Sequence, residues 1–134
     1  MIILDTHIWV WNVQGDKRLG KSRQELIRGY ESDEIGICAI SLWEVAKAVE
    51  LKRLSLFIPV EDWFSIALSY PGVILLPLTA SIAVESTQLP GEFHKDPFDQ
   101  IIVATARTYD SPLLTADADI LEYPHVKLLL KDEN

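Results

Sequence analysis

Four carboxylates recur at comparable places in this chain. Asp5 follows directly on the apolar run of residues 1–4. Glu44 lies just after the apolar stretch 35–40, Asp99 just after Asp96-Pro97, and Asp117 just after Leu113-Leu114-Thr115. An acid that ends a buried strand, or sits in the first turn of the next helix, is delivered to the carboxyl edge of a parallel sheet, where ligands bind in open α/β folds. Several carboxylates in one place repel one another unless a cation is present. Oxygen-only ligands favour Mg²⁺ or Mn²⁺, and such a site supports phosphodiester hydrolysis through an activated water. Each acid also has a plainer reading. Ser41-Leu42-Trp43-Glu44 fits a capping box, Asp96 fits an N-cap, Asp99 complements a helix dipole, and Asp117 caps a short helix. Asp5 is the hardest to assign this way, because an acid directly after a buried strand gains little structurally.

The elements that position these residues follow from periodicity. Apolar strand-sized runs at 1–4, 35–40, 73–76, 112–115 and 126–130 alternate with helical patterns at 6–13, 19–30, 41–51, 60–69, 79–89, 97–109 and 116–121. Asp96-Pro97 is a strong helix start, and Pro71-Gly72 and Pro90-Gly91 are turns. This alternation predicts an α/β fold, a parallel sheet of about five strands flanked by helices on both faces. The 134 residues form a single domain, 1–134, with no repeat, linker or low-complexity segment.

Composition narrows the function. With 49% hydrophobic and 24% charged residues the chain is an ordinary globular one. Its net charge of −8 argues against nonspecific nucleic-acid binding by a basic surface. It is compatible with a nuclease whose acids are neutralised by divalent metal, or with a basic protein partner. The single Cys38 cannot form an internal disulfide, and within an apolar strand it reads as an inert core thiol. No basic segment precedes the first apolar run and no run nears the ~20 residues that span a bilayer, so a cytoplasmic location and no membrane association are expected. His7, His94 and His125 do not form a zinc spacing, and His94-Lys95 reads as loop surface. Trp9, Trp11, Trp43 and Trp63 read as core or interface. Lys47, Lys52, Arg53 and Arg107 read as a solvated face rather than a nucleic-acid path.

Ile3-Leu4-Asp5-Thr6-His7, Ser41-Leu42-Trp43-Glu44-Val45, Leu89-Pro90-Gly91, His94-Lys95-Asp96-Pro97-Phe98-Asp99-Gln100, Ile102-Val103-Ala104-Thr105-Ala106 and Leu113-Leu114-Thr115-Ala116-Asp117 stand in this order along nearly the whole chain. With these motifs the chain resembles the VapC family of PIN-domain toxins, ribonuclease components of type II toxin–antitoxin modules. The resemblance implies a PIN-like fold and a Mg²⁺- or Mn²⁺-dependent endoribonuclease. It gives Asp5, Glu44, Asp99 and Asp117 the metal-binding and catalytic roles, with Thr6, Asp96 and Thr115 as accessory residues. It further implies an RNA substrate, a cognate antitoxin and a homodimer. One departure is Gln100, where many relatives carry Arg.

Three other readings compete. A metal-dependent phosphatase of the haloacid-dehalogenase type needs a second Asp two residues after the first, where this chain has His7. A phosphorelay receiver needs paired acids near the first strand, and Asp5 stands alone there. A PIN-like protein that only binds a partner has no need of all four acids.

Overall fold

At the centre of the structure, a computed structural model describing residues 1–130, lie four strands. They are β1 (Ile2–Leu4), β2 (Ile35–Cys38), β3 (Val73–Leu76) and β4 (Leu113–Leu114), ordered β3-β2-β1-β4 and paired in parallel throughout. Around them run α1 (Thr6–Gln14), a 3-10 turn (Lys17–Leu19), α2 (Lys21–Gly29), α3 (Ala39–Glu50), α4 (Val60–Ala67), α5 (Ala80–Ser86), α6 (Pro97–Thr108) and α7 (Ala118–Glu122).

Strand alternation divides the core into two layers. Ile2, Leu4, Ile35, Ile37 and Leu114 face one side and pack with Ile8 and Trp9 of α1, Ile27 of α2, Val45 of α3 and Trp63 of α4. Ile3, Cys38, Leu76 and Leu113 face the other side, against Ile102, Val103 and Ala106 of α6 and Ile120 of α7. Because β1 is covered on both faces, all three of its residues are apolar and buried. Gly36 keeps the second layer tight: a Cβ there would stand 2.7 Å from Leu76 Cδ1 and 3.2 Å from Ile3 Cγ1. Cys38 lies in the same layer, and burial pushes its thiol up to about 12. Trp9 and Trp63 meet edge to face at 5.0 Å inside the first layer.

The class agrees with the sequence expectation, and the strand count is corrected. The expected fifth strand, 126–130, makes only a single parallel bridge, Leu113 to Leu128. Pro124 stands just before it, and Leu130 turns to a positive φ of 58°. The extended stretch between them is too short to form a ladder. Helix α3 begins at Ala39 rather than Ser41. The final residues 131–134, expected to be a polar tail, lie outside the described residues. Among the described residues no helix is long and apolar enough to cross a membrane.

Candidate active site

Parallel strands bring their carboxyl ends, and the helices that follow, to one edge. There Asp5, Glu44, Asp96, Asp99 and Asp117 line a cleft of about 420 Å³, together with His7 and Trp11. The cleft collects acids that stand up to 112 residues apart in sequence.

Asp5 is its deepest member, with 7% of its surface exposed. It caps α1: Oδ1 accepts from the Thr6 backbone N–H at 2.8 Å. Oδ2 accepts from the Thr115 hydroxyl at 2.6 Å, which locks the carboxylate across β1 and β4. Burial raises the Asp5 pKa in spite of these donors, and Asp117 adds to the rise. Thr115 also accepts from the Asp117 backbone N–H at 3.0 Å, so one hydroxyl spaces both acids.

Glu44 is held from the opposite side. The Thr6 hydroxyl donates to Glu44 Oε1 at 2.6 Å and contacts the fully buried Ser41 Oγ at 2.7 Å. A hydroxyl carries one proton. With Glu44 ionised that proton goes to Glu44, so Ser41 donates to Thr6, giving a directed chain Ser41–Thr6–Glu44. This displaces the capping-box reading: Ser41 already lies within α3, and its side chain serves Thr6 instead of a helix N-terminus. Burial raises the Glu44 pKa, and Asp5 and Asp96 reinforce the effect.

Asp96 and Asp117 do act as caps. Asp96 Oδ1 accepts from Phe98 N at 2.9 Å and Asp117 Oδ1 from Ile120 N at 3.1 Å. Both line the cleft as well, so capping and a role in the site coexist. Asp99, in the first turn of α6, is raised as well. Burial, then the charges of Asp5, Asp96, Asp117 and Glu44, push it up to about 8. That response places four other carboxylates within electrostatic reach of one group.

His94 departs from its expected surface role. Its Nε2 lies 3.0 Å from Asp99 Oδ2, without hydrogen-bond alignment. Gln100 Nε2 donates to the His94 carbonyl at 3.1 Å, fixing the loop that carries the imidazole; Gln100 itself does not line the cleft. Ser41, His94 and the cleft-lining His7 and Trp11 are the members that sequence reasoning missed. Only the position of His7 beside Asp5, at the start of the following helix, signalled a place at this edge.

The donor set fits a hard divalent cation. Every donor from Asp5, Glu44, Asp99 and Asp117 is an oxygen, and each carboxylate oxygen engaged above retains a second lone pair. No three of these four acids bring donor atoms within 4.8 Å of one another; among the described residues the set that does is His94, Asp117 and Asp119. Mg²⁺ is commonly held by one or two carboxylates with water completing the shell, so the looser arrangement suffices.

An α/β sheet whose carboxyl edge gathers unneutralised acids defines the class. The PIN domain profile matches residues 2–126. Ribonuclease VapC22 of Mycobacterium tuberculosis is 32% identical over 124 residues, covering 92% of both chains. Among solved structures, VapBC2 from Rickettsia felis bound to a DNA fragment from the VapBC2 promoter superposes with a TM-score of 0.71 at 18% identity, covering 96% of this chain and 98% of that one. A toxin–antitoxin complex from Klebsiella pneumoniae gives a TM-score of 0.66 at 22% identity, covering 98% of each. The chain belongs to the PIN-domain family, in its VapC branch.

Proposed function

We propose that this protein is the toxin of a type II toxin–antitoxin pair and a Mg²⁺- or Mn²⁺-dependent endoribonuclease. The observation that carries the reading is the cleft itself, which Asp5, Glu44, Asp96, Asp99 and Asp117 line with no Lys or Arg among them. Ribonuclease activity in a relative of 32% identity supports the substrate class. Solved toxin–antitoxin complexes of the same fold support the partner.

Of Asp5, Asp99 and Asp117, one or two would hold the ion directly and the rest through its bound waters, with Glu44 completing the shell or orienting the attacking water. When bound, the ion supplies a nucleophile at neutral pH and positive charge opposite the phosphoryl oxygens. Thr115 and the Thr6 backbone fix the Asp5 rotamer, and the Ser41–Thr6 chain fixes Glu44, so neither carboxylate has to reorganise during the reaction. An antitoxin segment with a basic side chain complements the cleft. A homodimer belongs to the same reading, and Leu75, Leu78 and Val84, each at least 44% exposed, are apolar residues available to its interface.

The test is cleavage of a mixed RNA pool by the purified protein with Mn²⁺, with Mg²⁺ and with EDTA, beside Asp5→Asn. Metal-dependent cuts that vanish in the variant are expected. Cuts that persist in EDTA would overturn the metal assignment. An RNA pool left intact under every condition would favour a purely partner-binding role.

A further inference from the structure

A second groove, of about 600 Å³, opens beside the acid cleft and shares His7, Trp11, Glu44 and Asp96 with it. Its character is different. Arg18, Lys47 and Arg53 line it in a chain whose net charge is −8. Trp43 stands in its wall 50% exposed, although Trp9 and Trp63 of the same chain are 2% and 0% exposed. The core therefore does not need Trp43. Its ring stacks on Phe98 with centroids 5.2 Å apart and an interplanar angle of 28°, and Lys47 Nζ lies 5.4 Å from its centroid. Phe98 follows the cap Asp96 and precedes Asp99, so the helix turn that supplies the acids also backs the tryptophan. Arg53 forms no ion pair among the described residues, whereas Arg18 pairs with Asp16 and Lys47 with Glu50.

An exposed indole, supported from behind and flanked by cations, is the arrangement that receives an unpaired base while its phosphates meet Lys or Arg. Continuity with the acid cleft sets the direction of the strand. We infer that Trp43, backed by Phe98, with Lys47 at its ring and Arg53 lining the same groove, is a stacking platform for an unpaired RNA base flanking the scissile phosphate. This rests on the nuclease reading above and adds a specificity determinant to it: the strand beside the cut must be single-stranded. The exposed indole and Arg53, which line the groove together with Glu44 and Asp96, favour a chain of bases and phosphates over a wholly apolar peptide.

The experiment measures binding of a fluorescein-labelled RNA of about 12 nucleotides, a length within the site sizes of single-strand binders. It is offered single-stranded or annealed to its complement, to the full chain carrying Asp5→Asn so that the probe survives. Adding Trp43→Ala should weaken single-strand binding roughly tenfold, as expected for one lost base stack. Trp43→Phe should restore most of it. Single-strand binding should quench tryptophan fluorescence in the Asp5→Asn chain, less so when Trp43→Phe is added, and the duplex should show neither effect. In the cleaving protein the Trp43→Ala loss should appear in KM. Unchanged thermal unfolding of Trp43→Ala, expected for a half-exposed side chain, separates this from misfolding. Equal affinity with and without Trp43, or an equal loss for duplex, overturns the platform even where RNA is still cut. Trp43-dependent binding without any cleavage leaves the platform standing and removes the nuclease reading. Trp43→Ala that weakens only an antitoxin complex assigns the groove to the protein partner and overturns the inference.

Discussion

The two ends of α6 treat acidic side chains in opposite ways. At its C-terminal end, beside the amino edge of the sheet, acids are matched by bases. Arg107 Nε bonds Glu85 Oε2 at 2.7 Å, Arg107 also reaches the His125 carbonyl, and Lys127 pairs with Asp110 at 2.8 Å. At its N-terminal end, beside the carboxyl edge, Asp96 and Asp99 join Asp5, Glu44 and Asp117, and no Lys or Arg lines the cleft. The same helix thus closes charge at one end and leaves it open at the other. Paired charges secure the fold, whereas the gathered acids destabilise it in exchange for affinity toward a cation.

The largest expected effect lies at the open end. Asp5→Asn should lower metal-dependent cleavage by on the order of a hundredfold or more, the scale of losing a preorganised charge at a reacting centre. Single-turnover kinetics on the RNA cut by the wild type would measure it, and a loss under tenfold would move Asp5 out of the catalytic set.

The closed end should respond in stability instead. Arg107→Met leaves Glu85 half-buried without its charged donor and should cost about 1.5–3 kcal/mol, read from urea unfolding. Cleavage by this variant should stay at the wild-type level, because Arg107 lies away from the cleft. A parallel fall in rate would mean that the two ends communicate.

Asp99→Asn should act with the opposite sign. The folded-state pKa of Asp99 is raised to about 8 from the ordinary 3.8. Between these values the native protein holds a proton that the unfolded chain releases, so the Asp99 contribution to stability falls as pH rises from about 4 to 8. Without metal, the melting-temperature advantage of Asp99→Asn over wild type should therefore grow across that window. Mn²⁺ should raise the wild-type melting temperature more than that of the variant at the upper end. A pH-independent gap would show that Asp99 is not confined among like charges.

Gln100→Arg should be the mildest. The side chain meets only the His94 carbonyl among the described residues, so replacing it should alter cleavage by less than about tenfold, the scale of one neutral hydrogen bond. A larger change would bring position 100 into the acid cleft.

What the sequence made legible were features encoded locally. Apolar runs marked β1, β2, β3 and β4, of which β3 is only partly buried, and Asp96-Pro97 marked the start of α6. The convergence of Asp5, Glu44, Asp99 and Asp117 followed from parallel topology alone. The start of α3 was not legible, because Cys38 caps it without a side-chain hydrogen bond and nothing in the sequence marks where strand becomes helix. That two-residue difference concealed the bond from Ser41 to Thr6. The place of His94 against Asp99 depends on how a loop folds back over α6, which no periodicity records. Trp43 carried a readable signal: it falls off the apolar stripe formed by Leu42, Val45, Ala46 and Val49. The segment 126–130 has the composition of a strand, yet the backbone turn at Leu130 limits it to one bridge.

Cys38 turns the interior of the sheet into a clock. It is the only thiol in the chain, it is 1% exposed, and its proton is held to a pKa of about 12. An aqueous disulfide reagent therefore reacts only in molecules whose second core layer has opened. When reclosing outpaces labelling, the labelling rate counts the open population. Any cation, RNA or antitoxin that favours the closed form slows it by the factor 1 + [L]/Kd. Occupancy of the cleft is thereby written into the lifetime of a sulfhydryl buried at the end of β2, with no dye attached to the protein and no cleavage required.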